Sequence, residues 1–297
     1  WLKKHFPLER PYQWPSRLAH PGRTMWPGSF QITASPLASS SGPSSRSCED
    51  LGFGLSPELE KRLRAPFMAK ELEQGFQRAS LYSATPVLEG RSPIAVWVLG
   101  PSAVGKSTLA SQFAVRLGVP HRTDKRDEPD AVYIDGDLLR LEHAGYQEVV
   151  QNGLDRGCVW REAYPALRTQ LREGKQALLR EAVRRRHNLV IPHTCQRLER
   201  DCLEPLRELV RAGYTNHIVT VLGDREEIRR RGEQRAQALG KRYAAEEYDA
   251  SLRSFAAMAT HSNGQVLSVW NTGPRAPQVV SRSHGGVEIS EGDAAGT

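Results

Sequence analysis

Residues 100–107 read Gly100-Pro101-Ser102-Ala103-Val104-Gly105-Lys106-Ser107, with Thr108 next, and match in full the pattern G-x-x-x-x-G-K-[ST]. In this pattern the glycines let the backbone wrap closely around a phosphate, which also meets the amide groups that open the following helix. We expect the segment to bind the phosphates of ATP, with Lys106 reaching the β- and γ-phosphates and the Ser107 hydroxyl binding Mg²⁺. The alternative is a tight strand-to-helix turn that contains a lysine by chance.

The surroundings of this motif favour phosphate binding, because strand and helix patterns alternate along the chain. Residues 94–99 form a short apolar run, typical of a strand buried on both faces, and a helix is predicted over residues 106–117. Four more strands are predicted, at residues 131–134, 188–191, 217–222 and 266–270, with helices between them at residues 166–183, 203–212, 225–239 and near 248–255. This alternation predicts an α/β P-loop NTPase (kinase-like) fold, a five-stranded parallel sheet with helices on both faces.

Composition divides the chain into four parts. Residues 1–54 are basic and rich in Ser and Pro, and we predict a disordered leader there. Residues 55–90 are predicted to be a helical lead-in that starts with a Ser56 cap followed by Pro57. Residues 91–272 form the predicted kinase domain, and residues 273–297, rich in Gly and Ser, a flexible tail.

Two acids follow the second predicted strand, at Asp135 and Asp137, with Gly136 between them. Carboxylates at the carboxyl end of a strand beside the P-loop strand would face the phosphates. We expect Asp135 to support Mg²⁺ and Asp137 to accept a proton from a substrate hydroxyl, since Gly136 permits a sharp turn that lets both converge. The alternative is an Asp-Gly turn in which Asp137 caps the next helix.

The P-loop, this acid pair with Arg140, the strand at residues 188–191 and the arginine-rich helix at residues 225–239 together resemble zeta-toxin-type P-loop kinases. The resemblance covers roughly residues 85–272, and adenylylsulfate kinases, which share a similar D-G-D, are a looser match. Zeta toxins phosphorylate a hydroxyl of the sugar in UDP-N-acetylglucosamine. The resemblance implies that Asp137 is the base and that Arg231 or Arg235 grips the transferring phosphate.

One position departs from the zeta-toxin pattern. Zeta toxins carry a Glu directly after the third strand, near the sugar, whereas this chain has Pro192, His193 and Thr194 there. Without that acid the UDP-sugar substrate is in doubt, while the phosphotransfer residues are retained. We take Arg140, His193 and Thr194 as candidate substrate contacts, and a loop histidine with no such role is the alternative for His193.

Net charge and apolar content say little about partners. The chain carries a net charge of +7 with a pI near 9.4, but residues 1–48 hold six basic residues against one acid, so the rest is only modestly basic. A phosphate-handling domain carries such an excess without contacting DNA, so the charge is weak evidence for a nucleic-acid partner, and we expect none. No apolar run approaches the roughly 20 residues of a membrane helix.

The cysteines, Cys48, Cys158, Cys195 and Cys202, show no paired disulfide framework, which predicts free thiols in a reducing compartment. His193, Cys195 and Cys202 lack the spacing and the fourth ligand of a zinc site. We therefore expect a cytoplasmic protein, with an organelle as the alternative because the acid-poor leader suits a transit segment.

The sequence thus predicts an ATP- and Mg²⁺-dependent kinase that transfers the γ-phosphoryl group to a hydroxyl of a small molecule, with a nucleotide sugar as one candidate. Two alternatives stay open. One is a kinase acting on a nucleic-acid end, and the other is an ATP-binding regulatory module without turnover. The sequence does not indicate an oligomeric state.

Overall fold

Seven strands form a single sheet in the computed structural model, which describes residues 46–124, 128–239, 243–271, 277–284 and 287–288. In chain order the strands are β1 Ile94–Leu99, β2 Val132–Tyr133, β3 Leu189–His193, β4 Thr215–Leu222, β5 Gln265–Trp270, β6 Gln278–His284 and β7 Val287–Glu288. They are arranged in the order β2-β3-β1-β4-β5-β6-β7. The first five strands of this order are parallel, and β6 and β7 are added antiparallel at the β5 edge.

Nine α-helices accompany these strands in the described ranges: α1 Pro57–Leu63, α2 Ala69–Arg78, α3 Lys106–Arg116, α4 Gly136–Arg140, α5 Ala144–Asp155, α6 Ala163–Arg184, α7 Glu204–Arg211, α8 Arg225–Leu239 and α9 Glu246–His261. A turn of π-helix, Glu199–Leu203, leads directly into α7. Helices follow the parallel strands, as the chain crosses from one strand to the next, so the predicted α/β architecture is confirmed.

Strand β1 lies at the centre of the parallel strands and is buried on both faces. Ala95, Trp97 and Leu99 belong to a hydrophobic cluster that includes residues of α6, α7 and α9. Val96 and Val98 point the other way, into a cluster with α3. Both faces need apolar side chains, which is why this strand reads as a continuous apolar run instead of an alternating one.

A third hydrophobic cluster joins the short helices before β1 to those after β2. It contains Leu63 of α1, Leu139 of α4, Tyr146 of α5 and Leu167 of α6. Helices α2 and α4 approach so closely that a Cβ on Gly75 would lie 2.6 Å from Leu139 Cδ2. This cluster fixes α4, the helix that carries Asp137, against α2 and α6.

All four cysteines are paired, as Cys48–Cys158 and Cys195–Cys202. The prediction of free thiols was wrong. The pairs are separated by 110 and 7 residues along the chain, and neither spacing signals a bond. The fold alone brings each pair together, so the argument from the cysteines for a reducing compartment no longer holds.

The predicted disordered leader (residues 1–54) and the predicted flexible tail (residues 273–297) both include residues that are part of the fold. Within the leader, Cys48 is fully buried, and Ser47 forms a β-bridge with Val159; residues 1–45 lie outside the described ranges. Within the tail, β6 pairs with β5 through the backbone, so the sheet has more than the five predicted strands. Edge pairing needs no long apolar run, which explains why the sequence pattern did not reveal β6.

Among the described helices, none has the length and apolar character needed to cross a membrane.

The Cys48–Cys158 bond generates a stability prediction. Cys48→Ala and Cys158→Ala should each lower the melting temperature, because the bond closes a 110-residue loop and a native disulfide typically contributes about 2–5 kcal/mol. In a domain of this size that corresponds to a fall of roughly 4 °C or more in calorimetry without reductant. The double variant should match the single ones, since either change removes the same bond. Unchanged melting with two titratable thiols at Cys48 and Cys158 in the wild type would contradict the pairing.

Candidate active site

The loop between β1 and α3 has the backbone conformation of a phosphate-binding turn. Gly105 caps α3 with φ +95°, and Ala103 also has a positive φ of +65°. A Cβ on Gly100 would lie only 2.7 Å from the Val221 carbonyl oxygen, so glycine is required where the loop passes β4. Because α3 begins at Lys106, its unpaired amide groups and its positive dipole end face this loop.

The side chains of the loop divide between core and site. Val104 is fully buried in the cluster with α3, whereas Ser107 and Thr108 are exposed and Ser102 is partly exposed. The Lys106 ammonium donates hydrogen bonds to the carbonyl oxygens of Gly100 at 2.9 Å and Pro101 at 2.8 Å. It therefore lies over the loop backbone.

Asn271, directly after β5, supports the loop through hydrogen bonds. The sequence patterns did not predict this role. Its side-chain amide donates to the Val104 carbonyl at 2.7 Å, and its backbone N–H donates to the Leu222 carbonyl at 2.8 Å. A Cβ on Gly105 would lie 2.5 Å from Asn271 Nδ2. A polar residue at the carboxyl end of a predicted parallel strand was the available signal, the same one that identified Asp135.

Asp135 and Asp137 make different contacts because of their different positions at the start of helix α4. Asp135 is the N-cap of α4, where its Oδ1 accepts a hydrogen bond from the Asp137 backbone N–H at 2.9 Å, while its Oδ2 lies 3.4 Å from Ser107 Oγ. Asp137 lies in the first turn, and its carboxylate forms an ion pair with Arg235. The alternative in which Asp137 caps this helix is wrong, because Asp135 does so.

The Ser107 hydroxyl and the Asp135 carboxylate form a donor set that suits Mg²⁺. Both are hard oxygen ligands, and Mg²⁺ takes oxygen ligands at about 2.0–2.1 Å in octahedral geometry. Neighbouring ligands of such an octahedron lie about 3 Å apart, close to the observed 3.4 Å between the two oxygens.

The arginines of α8 fall into two groups. Arg229 and Arg230 are paired with glutamates of the same helix and lie at the surface, as expected for a solvated face. Arg235 instead reaches across to Asp137, a residue 98 positions earlier. Arg231 bonds to Glu227 of its own helix, and its buried Nη2 has no hydrogen-bond partner among the described residues. Of the two predicted arginines, the structure brings Arg235 to the acid pair.

Arg140 is a buried cation next to Asp137. Its side chain is 6% exposed and lies over the rings of Tyr146 and Tyr164, and its Nη1 donates to the Tyr146 hydroxyl at 3.2 Å. Its Nη2 is 3.8 Å from Asp137 Oδ1. Burial acts to lower the pKa of Arg140, but the nearby Asp137 carboxylate and the two tyrosines raise it overall, so the guanidinium stays charged.

His193 ends β3 and is held from both sides of its ring. Nδ1 accepts the Cys195 backbone N–H at 2.9 Å and lies 3.3 Å from Cys202 Sγ, while Nε2 lies 3.2 Å from Lys175 Nζ. Desolvation lowers the pKa of His193 well below its usual value, and the positive charges of Lys175 and Lys106 lower it further. The imidazole is therefore neutral near pH 7.

The neighbours of His193 change how the predicted substrate contacts are placed. Thr194 is tied to α9, because its carbonyl accepts a hydrogen bond from the Ser251 hydroxyl at 2.7 Å. The sulfurs of Cys195 and Cys202 are bonded to each other, so they are not thiolate ligands beside His193. Lys175, in the middle of α6, was not predicted, because its position in a long helix carries no motif.

The loop, the parallel sheet and the acid pair define a P-loop NTPase-like protein. Residues 96–258, more than half of the chain, match the model of a protein family described as an AAA domain, so the chain belongs to that family. No curated protein matches the chain.

The chain is similar to several solved structures, including these two. A structure of the PezAT chromosomal toxin–antitoxin system of the human pathogen Streptococcus pneumoniae shares 16% identity at a TM-score of 0.50, covering 70% of this chain and 80% of that one. A structure of AvrRxo1-ORF1:-ORF2 with ATP shares 13% identity at a TM-score of 0.46, covering 80% and 71%. The predicted resemblance to zeta-toxin-type P-loop kinase domains is thus confirmed as a likeness of fold.

The contact between Asn271 and the loop generates a binding prediction. Asn271→Ala should weaken MgATP affinity about 2- to 10-fold, because it removes a hydrogen bond of roughly 0.5–1.5 kcal/mol that holds the Val104 carbonyl. Asn263→Ala is the matched control: Asn263 precedes β5 and accepts a hydrogen bond from the Asn216 N–H at the opposite edge of the sheet. It should change the melting temperature but not the affinity in calorimetric titration. Equal affinities for all three proteins would show that Asn271 does not shape the loop.

Proposed function

We propose that the chain is an ATP-dependent phosphotransferase that moves the γ-phosphoryl group to a hydroxyl of a small molecule. The observation that supports this most is the position of Asp137. Its carboxylate lies between Arg235 and Arg140, two residues after Asp135, whose carboxylate faces Ser107 of the loop. A base, two cations and a pair of oxygen ligands therefore meet beside a phosphate-binding loop.

The nucleotide side of this site follows from the loop. The backbone amides at the start of α3 and the Lys106 ammonium would bind the β- and γ-phosphates of ATP. Ser107 and Asp135 would hold Mg²⁺, which neutralises phosphate charge when it is bound. The whole segment from Gly100 to Thr108 would thus serve as the ATP site.

The transfer step assigns one task to each remaining residue. The acceptor hydroxyl oxygen attacks the γ-phosphorus, the bond to the bridging oxygen of ADP breaks, and the hydroxyl proton passes to Asp137. The cationic Arg235 stabilises the ionised form of Asp137 before the reaction and offsets negative charge on the phosphoryl group during it. Arg231, one turn earlier on α8, would have to leave Glu227 to take part.

Arg140, His193 and Thr194 are proposed to lie on the acceptor side, and a nucleotide sugar is the first acceptor candidate. The support for a nucleotide sugar is the zeta-toxin resemblance, and the exchange of the family's Glu for the Pro192-His193-Thr194 segment leaves other hydroxyl compounds open. A regulatory module that binds ATP without turnover is the main rival. It has no use for Asp137 aligned with Arg235, whereas a kinase requires such a base.

For partners and compartment, we propose a small-molecule acceptor, with neither a membrane nor a nucleic acid as partner. Arg229 and Arg230, on the exposed face of α8, are paired with glutamates of the same helix, which argues against a nucleic-acid channel there. The two disulfides favour an oxidising compartment over the cytoplasm expected from the sequence.

Asp137→Asn separates the kinase from the regulatory module. The change keeps the shape but removes the basic charge, so kcat should fall about 10²- to 10⁴-fold while ATP affinity changes less than about tenfold. Asp135→Asn should keep the helix cap and raise the Mg²⁺ concentration needed for half-maximal activity. The measurement is transfer from labelled ATP to fractionated metabolites.

Two controls frame that experiment. Lys106→Ala should abolish transfer and sharply weaken ATP affinity in a folded protein. Asp155→Asn, at an exposed position at the end of α5, should leave transfer unchanged. Transfer at the wild-type rate by Asp137→Asn would place the base elsewhere. If the wild type phosphorylates nothing in a broad screen, the regulatory module replaces the kinase.

Arg235 yields a second kinetic prediction. Arg235→Gln should lower kcat by about 10²-fold or more, because it removes a charge that stabilises both Asp137 and the transferring group. Arg230→Gln is the matched control on the same helix, since Arg230 is exposed and pairs with Glu227. Steady-state kinetics of Arg231→Gln alongside would identify the second arginine. Equal rates for the Arg235 and Arg230 variants would remove Arg235 from the mechanism.

A further inference from the structure

Three side chains at the end of β3 bring metal-ligating atoms together. His193 ends the strand, Cys195 follows it by two residues, and Cys202 lies in the π-helical turn before α7. The imidazole nitrogen and the two sulfurs that they offer all lie within 4.8 Å of one another. Among the described residues, no other group of three His, Cys, Asp or Glu side chains has its ligand atoms this close. Imidazole nitrogen and thiolate sulfur are ligands that zinc takes in proteins.

The distance between His193 and Cys202 already suits two ligands of one zinc ion. Nδ1 of His193 lies 3.3 Å from Cys202 Sγ. In a tetrahedral site with Zn–N of about 2.0–2.1 Å and Zn–S of about 2.3 Å, a nitrogen and a sulfur lie about 3.6 Å apart and two sulfurs about 3.8 Å. The nitrogen–sulfur distance therefore needs only a small adjustment.

The lone pair on His193 Nδ1 is directed at this group. Nδ1 accepts a hydrogen bond from the Cys195 backbone N–H at 2.9 Å, so this nitrogen carries no hydrogen of its own. A metal ion needs the same lone pair. The ring thus presents a ligand atom to the two sulfurs without turning.

The sulfurs of Cys195 and Cys202 are joined by a disulfide, which excludes a metal ion in this form. Bonded sulfurs are too close together to be two ligands of one tetrahedral ion. A dithiol opens the bond by thiol–disulfide exchange: the S–S bond takes up two electrons and two protons and gives two cysteine thiols, while the dithiol becomes a disulfide. Zn²⁺ then binds both sulfurs as thiolates, and the two protons are released.

The position of the bond lets it open without loss of the sheet. Cys195 and Cys202 are buried but only seven residues apart, and residues 196–197 between them are exposed and irregular. A bond that closes a short loop constrains the unfolded chain less than the Cys48–Cys158 bond, which spans 110 residues. We therefore expect the chain to stay folded when the shorter loop is opened.

The charges around the group are compatible with a zinc ion bound to two thiolates. Lys175 Nζ lies 3.2 Å from His193 Nε2, and the positive charge of Lys106 also acts on the ring. Zn²⁺ with two thiolates has no net charge, so it adds none beside these cations. The carboxylates of Asp135 and Asp137 are outside this group of ligand atoms.

We propose that His193, Cys195 and Cys202 form a zinc site when the disulfide between the two cysteines is reduced. The group has no fourth member in the described part of the chain, which leaves the fourth position of the tetrahedron to water. The site would join the end of β3 to the turn before α7, next to Thr194. It does not depend on the proposed phosphotransfer, and its test needs no turnover.

The test measures zinc binding by the full chain before and after treatment with dithiothreitol, which is then removed under nitrogen. The reduced chain should show its cysteines as free thiols, keep its circular dichroism and bind one zinc ion in a titration against a chromophoric chelator. The untreated chain should bind none. Co²⁺ in place of zinc should give the thiolate charge-transfer absorption of a tetrahedral site.

His193→Gln separates this site from binding by two free thiols alone. It keeps both sulfurs and removes the imidazole, so zinc affinity should fall at least about 10- to 100-fold, the loss that follows even a change in an outer partner of a zinc ligand. Cys202→Ser should weaken binding at least as much. The matched controls are His261→Gln, at an exposed histidine that ends α9, and Cys158→Ser, in the other disulfide; both should bind zinc as the wild type does.

Three results would overturn the proposal. The first is equal zinc affinity for the reduced wild type and His193→Gln. The second is zinc binding of the same strength by the untreated chain. The third is a folded chain in which dithiothreitol frees no thiol at Cys195 or Cys202. If Cys202→Ser does not fold, the comparison of His193→Gln with His261→Gln decides the matter without it.

Discussion

The burial of β1 on both faces is the constraint on which the rest of the site depends. With β3 on one side and β4 on the other, β1 has no free edge, and its carboxyl end can only turn out of the sheet. The carboxyl ends of parallel strands lie at the same edge of a sheet. Four features that are far apart in the sequence therefore come together there: the P-loop after β1, Asp135 after β2, His193 at the end of β3 and Asn271 after β5. If the inner strands were not all parallel, their carboxyl ends would lie at opposite edges of the sheet and these residues would be separated. The arrangement of the candidate site thus follows from the topology of the sheet before it follows from side-chain chemistry.

Two short polar contacts at this edge give Asp135 and Asp137 different positions and different partners. The Asp135 carboxylate uses one oxygen to cap α4 and the other to face Ser107, which holds it in place beside the loop. Capping α4 through Asp135 releases Asp137, which would otherwise be drawn to the helix N-terminus, to meet Arg235. Neighbouring carboxylates repel when both are ionised, and the cations Arg235 and Arg140 offset that repulsion at Asp137.

Local sequence patterns predicted those parts of the fold that are set by local constraints. The apolar run of β1, the P-loop and the limits of α8 follow from burial on two faces, from phosphate geometry and from helix periodicity, and each matches the structure. Asn271, Lys175 and the disulfides were not predictable in this way, because no local pattern indicates their partners. Asn271 contacts Val104, 167 residues away, and Cys48 is bonded to Cys158, 110 residues away. Cys48, for example, lies next to a Ser- and Pro-rich stretch that predicts no structure, and it is held by the bond to Cys158 and by backbone pairing with Val159. Strand β6 likewise exists through backbone pairing with β5, to which its side chains contribute little pattern.

The third cluster holds the residues proposed for the acceptor side, whereas the sheet itself holds the P-loop. The P-loop is packed against the sheet itself, where a Cβ on Gly100 already meets the β4 backbone, so its geometry tolerates little change. Arg140 and Lys175 instead project from α4 and α6, which are held by contacts with α1, α2 and α5. Substitutions in that helical cluster can move or replace these cations without disturbing β1.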